Sequence, residues 1–520
     1  MFEYHFISIE KNTLFHSAWS KLDSYIRKTH LIGSIQNTLY WDQNTYMPVK
    51  GSSWRGDQLI YLARKLHDRN TSDEFQELIY NAKEELYSGK IRKEDDIKNF
   101  SEFFRNIELL EKEFDRQNKI DPILVEKLAK ARSNGYRSWV QAKESSNFKV
   151  FSSSLKELIA LRKEESNQIS SELSCWEVLA QPFEPDIRIN WINSLFEPIK
   201  QEVPSLIENI KANFKTKVRS SSLDITESSQ RRICKKLLEA FGIDQDIINM
   251  SDSPHPFSIT LGPNDYRITT RFVKGQPFSS FLATAHEWGH SLYEQGLASS
   301  SNKWFSWPLI HATSMGVHES QALFWENRIA KNKFFLEKMY PYFKEEGLLF
   351  KNANDLWKSI NFFSPGLNRV ESDELTYGIH ILIRTELEIL LLEEDLDVNA
   401  LPSEWNRRYF DLLGLSPKND SEGCLQDVHW SEGAFGYFPS YLIGHIISAQ
   451  ITELMESEIG CLDNLLEKEN FLDITDWLKQ KVHHHGRALN SMDLIKKLTG
   501  NNMNAKYFLS YLNQKISSLS

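Results

Sequence analysis

Apolar residues recur every three or four positions along most of the chain, which is the period of an amphipathic α-helix. The pattern is clear in 75–86 and in 155–165, where Lys and Glu occupy the positions between the apolar residues. Clusters of turn-forming residues interrupt it, as at 48–53 and 182–185. The pattern therefore predicts a mainly α protein built from long helices.

One short stretch has the alternating period of β-strands instead. Ser258–Leu261 and Tyr266–Phe272 alternate apolar and polar residues, and the turn-forming residues Gly262–Asp265 separate them. This arrangement predicts a β-hairpin. An extended peptide can add to the exposed edge of such a hairpin through backbone hydrogen bonds. A small structural hairpin is the alternative interpretation.

The strongest candidates for catalytic residues lie in the segment that follows the hairpin. Residues 286–290 have the sequence His-Glu-Trp-Gly-His. The surrounding pattern predicts a helix from Pro277 to near Gly296. On a helix, His286 and His290 lie on one face and can reach one metal ion, and Glu287 flanks them. A catalytic zinc takes three protein ligands and a water, whose proton a nearby carboxylate can accept. The alternative is an ordinary helix with two histidines.

Glu319 is the predicted third ligand. It lies 29 residues after His290, far enough for the first helix to end and for a second helix to return to the metal. The alternative is a solvated glutamate at the start of a helix. The run His483–His485 is a weaker candidate, because adjacent residues on a helix face different directions.

Composition narrows the class of protein. The chain has 520 residues, of which 41% are hydrophobic and 25% are charged, as expected for a large folded protein. Its 61 Lys and Arg residues against 71 Asp and Glu residues give a net charge of -10, which disfavours a nucleic-acid partner. No break in composition divides it, so we expect one domain over 1–520, with a helical N-terminal region (1–250), a hairpin and metal-binding region (251–330), and a helical C-terminal region (331–520).

The sequence predicts a cytoplasmic protein with no membrane segment. Four scattered cysteines form no close pair, which is typical of a reducing compartment. The first residues do not follow the pattern of a secretory signal, and no apolar run approaches the roughly 18 residues that span a bilayer.

Several separated motifs resemble the carboxypeptidase Taq family of metallocarboxypeptidases over nearly the whole chain. The matching blocks are His255-Pro256-Phe257, Asp265-Tyr266-Arg267-Ile268-Thr269 (DxRxT), His286 to Gly296, His318-Glu319-Ser320-Gln321, and Gly423 to Trp430 (GxxQDxHW). Their order along the chain makes the resemblance far more specific than any single motif.

The resemblance implies a mostly helical fold with a deep active-site groove, a homodimer, and removal of C-terminal residues from peptides with broad side-chain tolerance. By position, His286, His290 and Glu319 match the family's metal ligands, and Glu287 matches its general base. The implied metal is zinc, with cobalt as a substitute. The implied partners are peptides with a free C-terminus.

Arg369 matches the arginine of the family's IRxxAD block, although Asn368 and Ser372 replace two other residues of that block. A carboxypeptidase needs a cation for the free carboxylate of its substrate, and a planar guanidinium can pair with a carboxylate through two hydrogen bonds. The hypothesis is therefore that Arg369 binds this carboxylate. A structural ion pair is the alternative.

The remaining site assignments also come from the resemblance. His429 and Tyr441, with Tyr437 as the nearer alternative to Tyr441, resemble family residues that stabilise the developing negative charge or hold the substrate carboxylate. Tyr437 and Arg267 are assigned to substrate binding. The segment Leu297–Met315 departs from the shorter family loop, so we expect it to reshape one wall of the groove.

Two other functions compete with a zinc carboxypeptidase. A zinc oligopeptidase that cuts internally uses the same metal chemistry. A catalytically silent, peptide-binding helical scaffold retains the motif without turnover, although Glu287 has no purpose in such a protein.

Overall fold

The computed structural model describes residues 17–87, 94–213, 224–300 and 305–519, and helices dominate these ranges. The amino-terminal residues that bear on a secretory signal lie outside them. The helices of the first half are α1 Ser17–Thr45, α2 Ser52–Asn70, α3 Asp73–Tyr87, α4 Glu94–Asn118, α5 Pro122–Ser145, α6 Lys149–Ile169, α7 Cys175–Ala180, α8 Ile189–Asn213, α9 Glu227–Ala240 and α10 Pro277–Ser300. Those of the second half are α11 Met315–Leu323, α12 Lys333–Glu345, α13 Ala353–Ile360, α14 Glu374–Glu393, α15 Leu401–Leu413, α16 Pro439–Ile459, α17 Leu462–Glu467, α18 Phe471–Lys481, α19 Ser491–Thr499 and α20 Lys506–Leu519. The predicted fold class is confirmed.

A small sheet precedes α10. Strands β2 (Ser258–Gly262) and β3 (Asp265–Thr270) form the predicted antiparallel hairpin. A further strand, β1 (Ile248–Asp252), pairs in parallel with β3 and was not predicted. The strand order is β1-β3-β2, which leaves β2 at an edge. The hydroxyl of Thr270 donates to the backbone oxygen of Ser280 at 3.2 Å, so the sheet holds the start of α10.

Helix α14 crosses the interior and carries a buried row of polar side chains at four-residue intervals. His380, Arg384 and Glu388 lie on one face of this largely apolar helix, and all three are buried. Glu388 accepts hydrogen bonds from the indole nitrogens of Trp430 at 2.9 Å and Trp176 at 3.2 Å, and from the Gly436 backbone nitrogen at 2.8 Å. The row therefore fixes the loop that leads from α15 to α16.

The buried carboxyl of Glu388 makes stability depend on pH. Burial raises its pKa to about 7, although the hydrogen bonds from Trp430 and Gly436 oppose the rise. The folded state thus holds this proton more tightly than the unfolded chain, whose pKa lies near 4.5. Stability from this group is present below pH 4.5 and is lost as the pH rises to about 7.

We therefore expect Glu388→Gln to flatten the pH dependence of unfolding. From pH 5 to pH 8, the variant should gain up to roughly 3 kcal/mol relative to the native protein, because glutamine never ionises. Unfolding midpoints measured across this range test the prediction, with the exposed Glu337→Gln as the control. Parallel curves for the native protein and Glu388→Gln would contradict it.

Two clusters of buried apolar residues hold the described chain together. The larger runs from Ala142 to Leu519 and draws on all three regions of the sequence, and the smaller joins α1, α3 and α4 to Trp307, Leu309 and Ile310. The single domain over 1–520 stays a prediction. Within the described ranges, no helix combines the length and apolar character needed to cross a bilayer.

Candidate metal centre and active site

Helix α10 presents two imidazoles on one face. His286 and His290 are one turn apart, and their ring centroids lie 4.8 Å from each other. The helix continues past Gly296, its predicted end, to Ser300. This longer helix extends the face that carries the histidines beyond His290 by more than two turns.

Helix α11 brings Glu319 against this face, because small residues let the neighbouring helices approach. Ser314 caps α11 by accepting a hydrogen bond from the Val317 backbone nitrogen. A Cβ on Gly289 would lie 2.5 Å from the backbone oxygen of Gln321, in α11. A Cβ on Gly444, in α16, would lie 2.7 Å from Cγ of Glu319. Glycine is therefore required at both positions, because α10 and α16 approach α11 too closely there for a larger side chain.

The three predicted ligands converge. Oε2 of Glu319 lies 3.8 Å from Nε2 of His286 and 3.6 Å from Nε2 of His290. One ligand atom from each side chain lies within 4.8 Å of the others. Tetrahedral zinc with bond lengths of about 2.1 Å places its ligand atoms roughly 3.4 Å apart. The arrangement therefore fits one metal ion.

A methyl group at Gly289 should disturb this centre. In Gly289→Ala, the added Cβ meets backbone atoms of Gln321 and Ala322, so α10 and α11 must move apart. We expect overpacking to cost about 1–3 kcal/mol of stability and the metal affinity to fall, both measurable by thermal unfolding and by zinc titration against a chelator. Gly56→Ala is the control, because a Cβ there meets nothing within 4 Å. Unchanged metal affinity in Gly289→Ala would contradict this account of the helix crossing.

Glu326 is a site residue that the sequence pattern did not indicate. It follows α11 in a π-helical turn, Phe324–Ala330, and accepts a hydrogen bond from Nδ1 of His286 at 2.9 Å. Burial opposes its ionisation, but Lys331 and His286 outweigh burial and lower the pKa of Glu326 to about 2. A carboxylate of this kind fixes the ring orientation of a metal-binding histidine. Its spacing of seven residues from Glu319, two helical turns, is the signal that could have found it.

We expect Glu326→Gln to weaken metal binding about 10- to 100-fold, because glutamine holds the His286 ring less firmly and supplies no charge. Competition titration with a chelator measures the change. Glu337→Gln, an exposed glutamate on α12, is the matched control. Equal metal affinities for Glu326→Gln and Glu337→Gln would show that Glu326 does not support metal binding.

Glu287 lies beside the three converging side chains and is 6% exposed. Burial raises its pKa to about 7, and the neighbouring charges of His286 and Glu319 act in opposite directions. A carboxyl with a pKa near neutrality can accept and release a proton at physiological pH. Glu287 thus has the burial and the pKa that a general base needs.

Arg369 lies in a buried ion pair. Its Nε donates to Oδ1 of Asp427 at 2.9 Å, and its Nη1 donates to the Tyr377 hydroxyl at 3.2 Å. Asp427 also accepts from Nε of Arg384 at 2.6 Å. Burial opposes ionisation of Asp427, yet the two arginines hold its pKa well below the usual range. Two guanidinium groups against one carboxylate leave a positive charge that acts on Glu319, one of the three predicted ligands.

Aromatic side chains surround that charge. The guanidinium of Arg369 lies 5.3 Å from the ring centroid of Tyr441, which lies 5.2 Å from the ring of Tyr437. The His429 ring lies 5.6 Å from Tyr437. We call Arg369, Tyr377, His429, Tyr437 and Tyr441 the Arg369 cluster. Burial lowers the pKa of His429 to about 4, and its buried Nδ1 has no hydrogen-bond partner among the described residues.

The cluster lies near the three predicted ligands, whereas Arg267 contacts other residues. Burial raises the pKa of Glu319, and the charges of His286 and Arg369 partly offset this rise. Arg267, on β3, donates from Nε to Asp265 at 2.8 Å and covers the ring of Trp41 at 4.5 Å. The structure thus groups the predicted site residues around the three predicted metal ligands, except for Arg267.

The sequence matches a known family of enzymes. The family model for carboxypeptidase Taq (M32) metallopeptidases matches residues 21–516. Carboxypeptidase 1 of Bacillus subtilis is 34% identical over 92% of this chain and 94% of its own length. Thermostable carboxypeptidase 1 of Thermus thermophilus is 32% identical over 97% of this chain and 99% of its own length.

The fold matches as well. A solved structure of a Pyrococcus furiosus carboxypeptidase superimposes with a TM-score of 0.90 and 28% identity. The match covers 97% of this chain and 100% of that one. The similarity thus extends across the helices that carry the site and those that surround them.

Proposed function

The chain belongs to the carboxypeptidase Taq (M32) family of metallopeptidases, and from that premise we propose a zinc carboxypeptidase of broad specificity with Glu287 as its general base. Family membership makes it a metallocarboxypeptidase. The choice of zinc, the roles of individual residues and the breadth of specificity belong to the proposal. The observation that supports it best is the convergence of His286, His290 and Glu319 within 4.8 Å.

Two imidazole nitrogens and one carboxylate oxygen are the ligand set of many catalytic zinc sites, which supports zinc as the metal. In this proposal cobalt is a substitute on the same donors. Bound zinc supplies Lewis-acid polarisation of the scissile carbonyl and a lowered pKa for the attacking water. The His286 ring is held for this task by its hydrogen bond to Glu326 at 2.9 Å.

Glu287 performs the proton transfers in this proposal. It accepts a proton from the water that attacks the peptide carbonyl and then delivers a proton to the leaving amine. A pKa raised to about 7 by burial suits both steps, because the group exchanges protons readily near neutral pH. His429 and Tyr441 donate hydrogen bonds to the developing oxyanion.

The Arg369 cluster receives the free carboxylate of the substrate. Arg369 is held by Asp427 through Nε and Nη2, and this contact orients the guanidinium. Tyr437 contributes a hydroxyl to the same subsite. Arg267 acts on the substrate side of the hairpin, where a peptide backbone adds to the edge strand β2 outside Thr260 and Leu261, whose oxygens accept hydrogen bonds from α1. Backbone recognition of this kind gives broad side-chain tolerance.

The same proposal includes the substrates, the oligomeric state and the cellular location of the enzyme. Peptides with a free C-terminus are its substrates, and nucleic acid is not a partner at a net charge of -10. The homodimer follows from the family resemblance. A cytoplasmic location agrees with cysteines that are all unpaired in the structure.

The experiment compares a free-acid peptide with the same peptide carrying a C-terminal amide, each with and without chelator, and follows the products by mass. We expect single-residue losses from the free acid only, and none after chelation. Internal cuts in the amide would support an oligopeptidase instead. Binding without any product would support a silent scaffold.

A further inference from the structure

A cavity of about 410 Å³ lies along α10, beginning one helical turn beyond His290. The face of α10 that bears the histidines forms one wall through Glu294 and Leu297. Helix α1 forms another through a row that includes His30 and Gly33, and Thr260 of the edge strand β2 closes a third side. The final wall comes from Phe305, Pro308, Ile310 and His311 in the unusual segment 297–315, of which residues 301–304 lie outside the described residues.

Helix α10 connects the wall of the cavity to the three predicted ligands. Glu294 and Leu297 follow His290 by four and seven residues, which places them about 6 and 10 Å farther along the helix axis. His318 links the two sites, since its ring stacks on His290 at 4.3 Å and its Nε2 lies 3.1 Å from Glu294. An extended peptide advances about 3.3–3.6 Å per residue. The cavity therefore lies two or three residues from a bond at the metal.

The cavity lies on the amino side of that bond. It shares no lining residue with the Arg369 cluster, which receives the carboxylate in the proposed function. The charge of Arg369 acts on Glu319, whereas His290 stacks on His318, whose Nε2 contacts Glu294 on the cavity wall. A peptide whose C-terminus reaches Arg369 then runs its preceding residues away from that cluster, along α10 toward Glu294.

The walls suit a long apolar side chain with a cationic end. Ile26, Phe75 and Leu297 supply apolar surface, and none of the described lining residues is Lys or Arg. Glu113 is paired with Arg487, which lies outside the cavity wall. Burial lowers the pKa values of His30 and His311, so neither adds a positive charge. Glu294 has a hydrogen bond only at Oε1 within the described structure, which leaves Oε2 for a donor.

We propose that this cavity is the subsite for a Lys or Arg side chain two or three residues before the scissile bond, with Glu294 binding its charged end. The proposal rests on the proposed carboxypeptidase function and adds a substrate preference to it. The aliphatic stem of the side chain packs on the apolar walls, and the charge pairs with the free oxygen of Glu294.

The first test uses free-acid heptapeptides that differ only at the second or third residue before the scissile bond. We expect kcat/KM for Lys to exceed that for Glu by about tenfold at one of these positions, with norleucine between them. The Lys-to-Glu ratio should fall as salt is raised, because the Glu294 side chain is 31% exposed and its charge is screened. Equal rates for all three peptides at both positions overturn the proposal.

Gly33→Leu tests whether the preference for an upstream Lys depends on the cavity. A Cβ at Gly33 meets nothing within 4 Å, so the larger side chain extends into the cavity without backbone strain. We expect the ratio of kcat/KM for the Lys heptapeptide to that for an N-blocked dipeptide to fall about tenfold. The control is Gly56→Leu, an equally open helical glycine that does not line the cavity, and it should leave the ratio unchanged.

Glu294→Gln supplies an independent measurement if Gly33→Leu does not fold. The Lys-to-Glu ratio should fall to near one, and a ratio is insensitive to a general loss of activity. Persistence of the native ratio in either folded variant overturns the proposal. Chelator-sensitive loss of C-terminal residues without any upstream preference leaves the carboxypeptidase intact and removes only this subsite, whereas absence of C-terminal release overturns the proposed function itself.

Discussion

Glu287→Gln should lower kcat by about 10² to 10⁴, the contribution that a general base makes to proton transfer. Glutamine has nearly the size of glutamate but cannot accept the proton of the attacking water. Because Glu287 is not among the three converging side chains, metal content should stay the same. Steady-state kinetics on a free-acid peptide and metal analysis of the same sample measure both quantities.

Glu287→Asp is the matched variant, since it keeps the carboxylate and shortens its reach by one methylene. We expect its kcat to lie between those of the native protein and Glu287→Gln. Nearly native turnover by Glu287→Gln with full metal content would exclude Glu287 as the base. Loss of metal from Glu287→Gln would instead mean that the residue supports the metal site.

Arg369→Lys should reduce kcat/KM for a free-acid peptide by about 10² to 10³, because lysine cannot hold a carboxylate through two parallel hydrogen bonds. A peptide with a C-terminal amide should remain as poor a substrate as before. The ratio of the two rates therefore measures carboxylate recognition, separately from any general loss of activity.

Arg384→Lys is the control for a structural role. Arg384 contacts the same Asp427, but its side chain is fully buried and cannot reach a peptide. We expect this variant to lower the unfolding temperature and to leave the acid-to-amide ratio unchanged. If Arg369→Lys behaves in the same way, its contact with Asp427 is a structural ion pair and another group binds the carboxylate.

The local periodicity of the sequence predicted much of the architecture. The alternating residues around Gly262–Asp265 predicted the hairpin, and the four-residue interval between His286 and His290 placed both imidazoles on one face. Glu319 was identified from its distance along the chain and from the family motif around it, and the structure brings it within 3.8 Å of His286. These features could be predicted because they depend mainly on the spacing of residues and on motifs within the sequence.

Features that depend on distant contacts were not predicted. Strand β1 has little alternation of its own and forms by pairing with β3, which follows more than ten residues later. Glu326 reaches His286 through a π-helical turn, a local departure from the α-helical period. The cavity beside Glu294 is assembled from α1, α10 and the hairpin. Its chemistry is visible only when these elements are packed together.

The central claim is that one metal ion is bound by His286, His290 and Glu319. The most direct measurement is an anomalous difference map at the zinc absorption edge from a crystal grown with zinc. We predict one strong peak about 2.0–2.2 Å from both Nε2 atoms and from a carboxylate oxygen of Glu319. A peak at His483–His485, or a peak on the two imidazoles with Glu319 out of reach, would contradict the account.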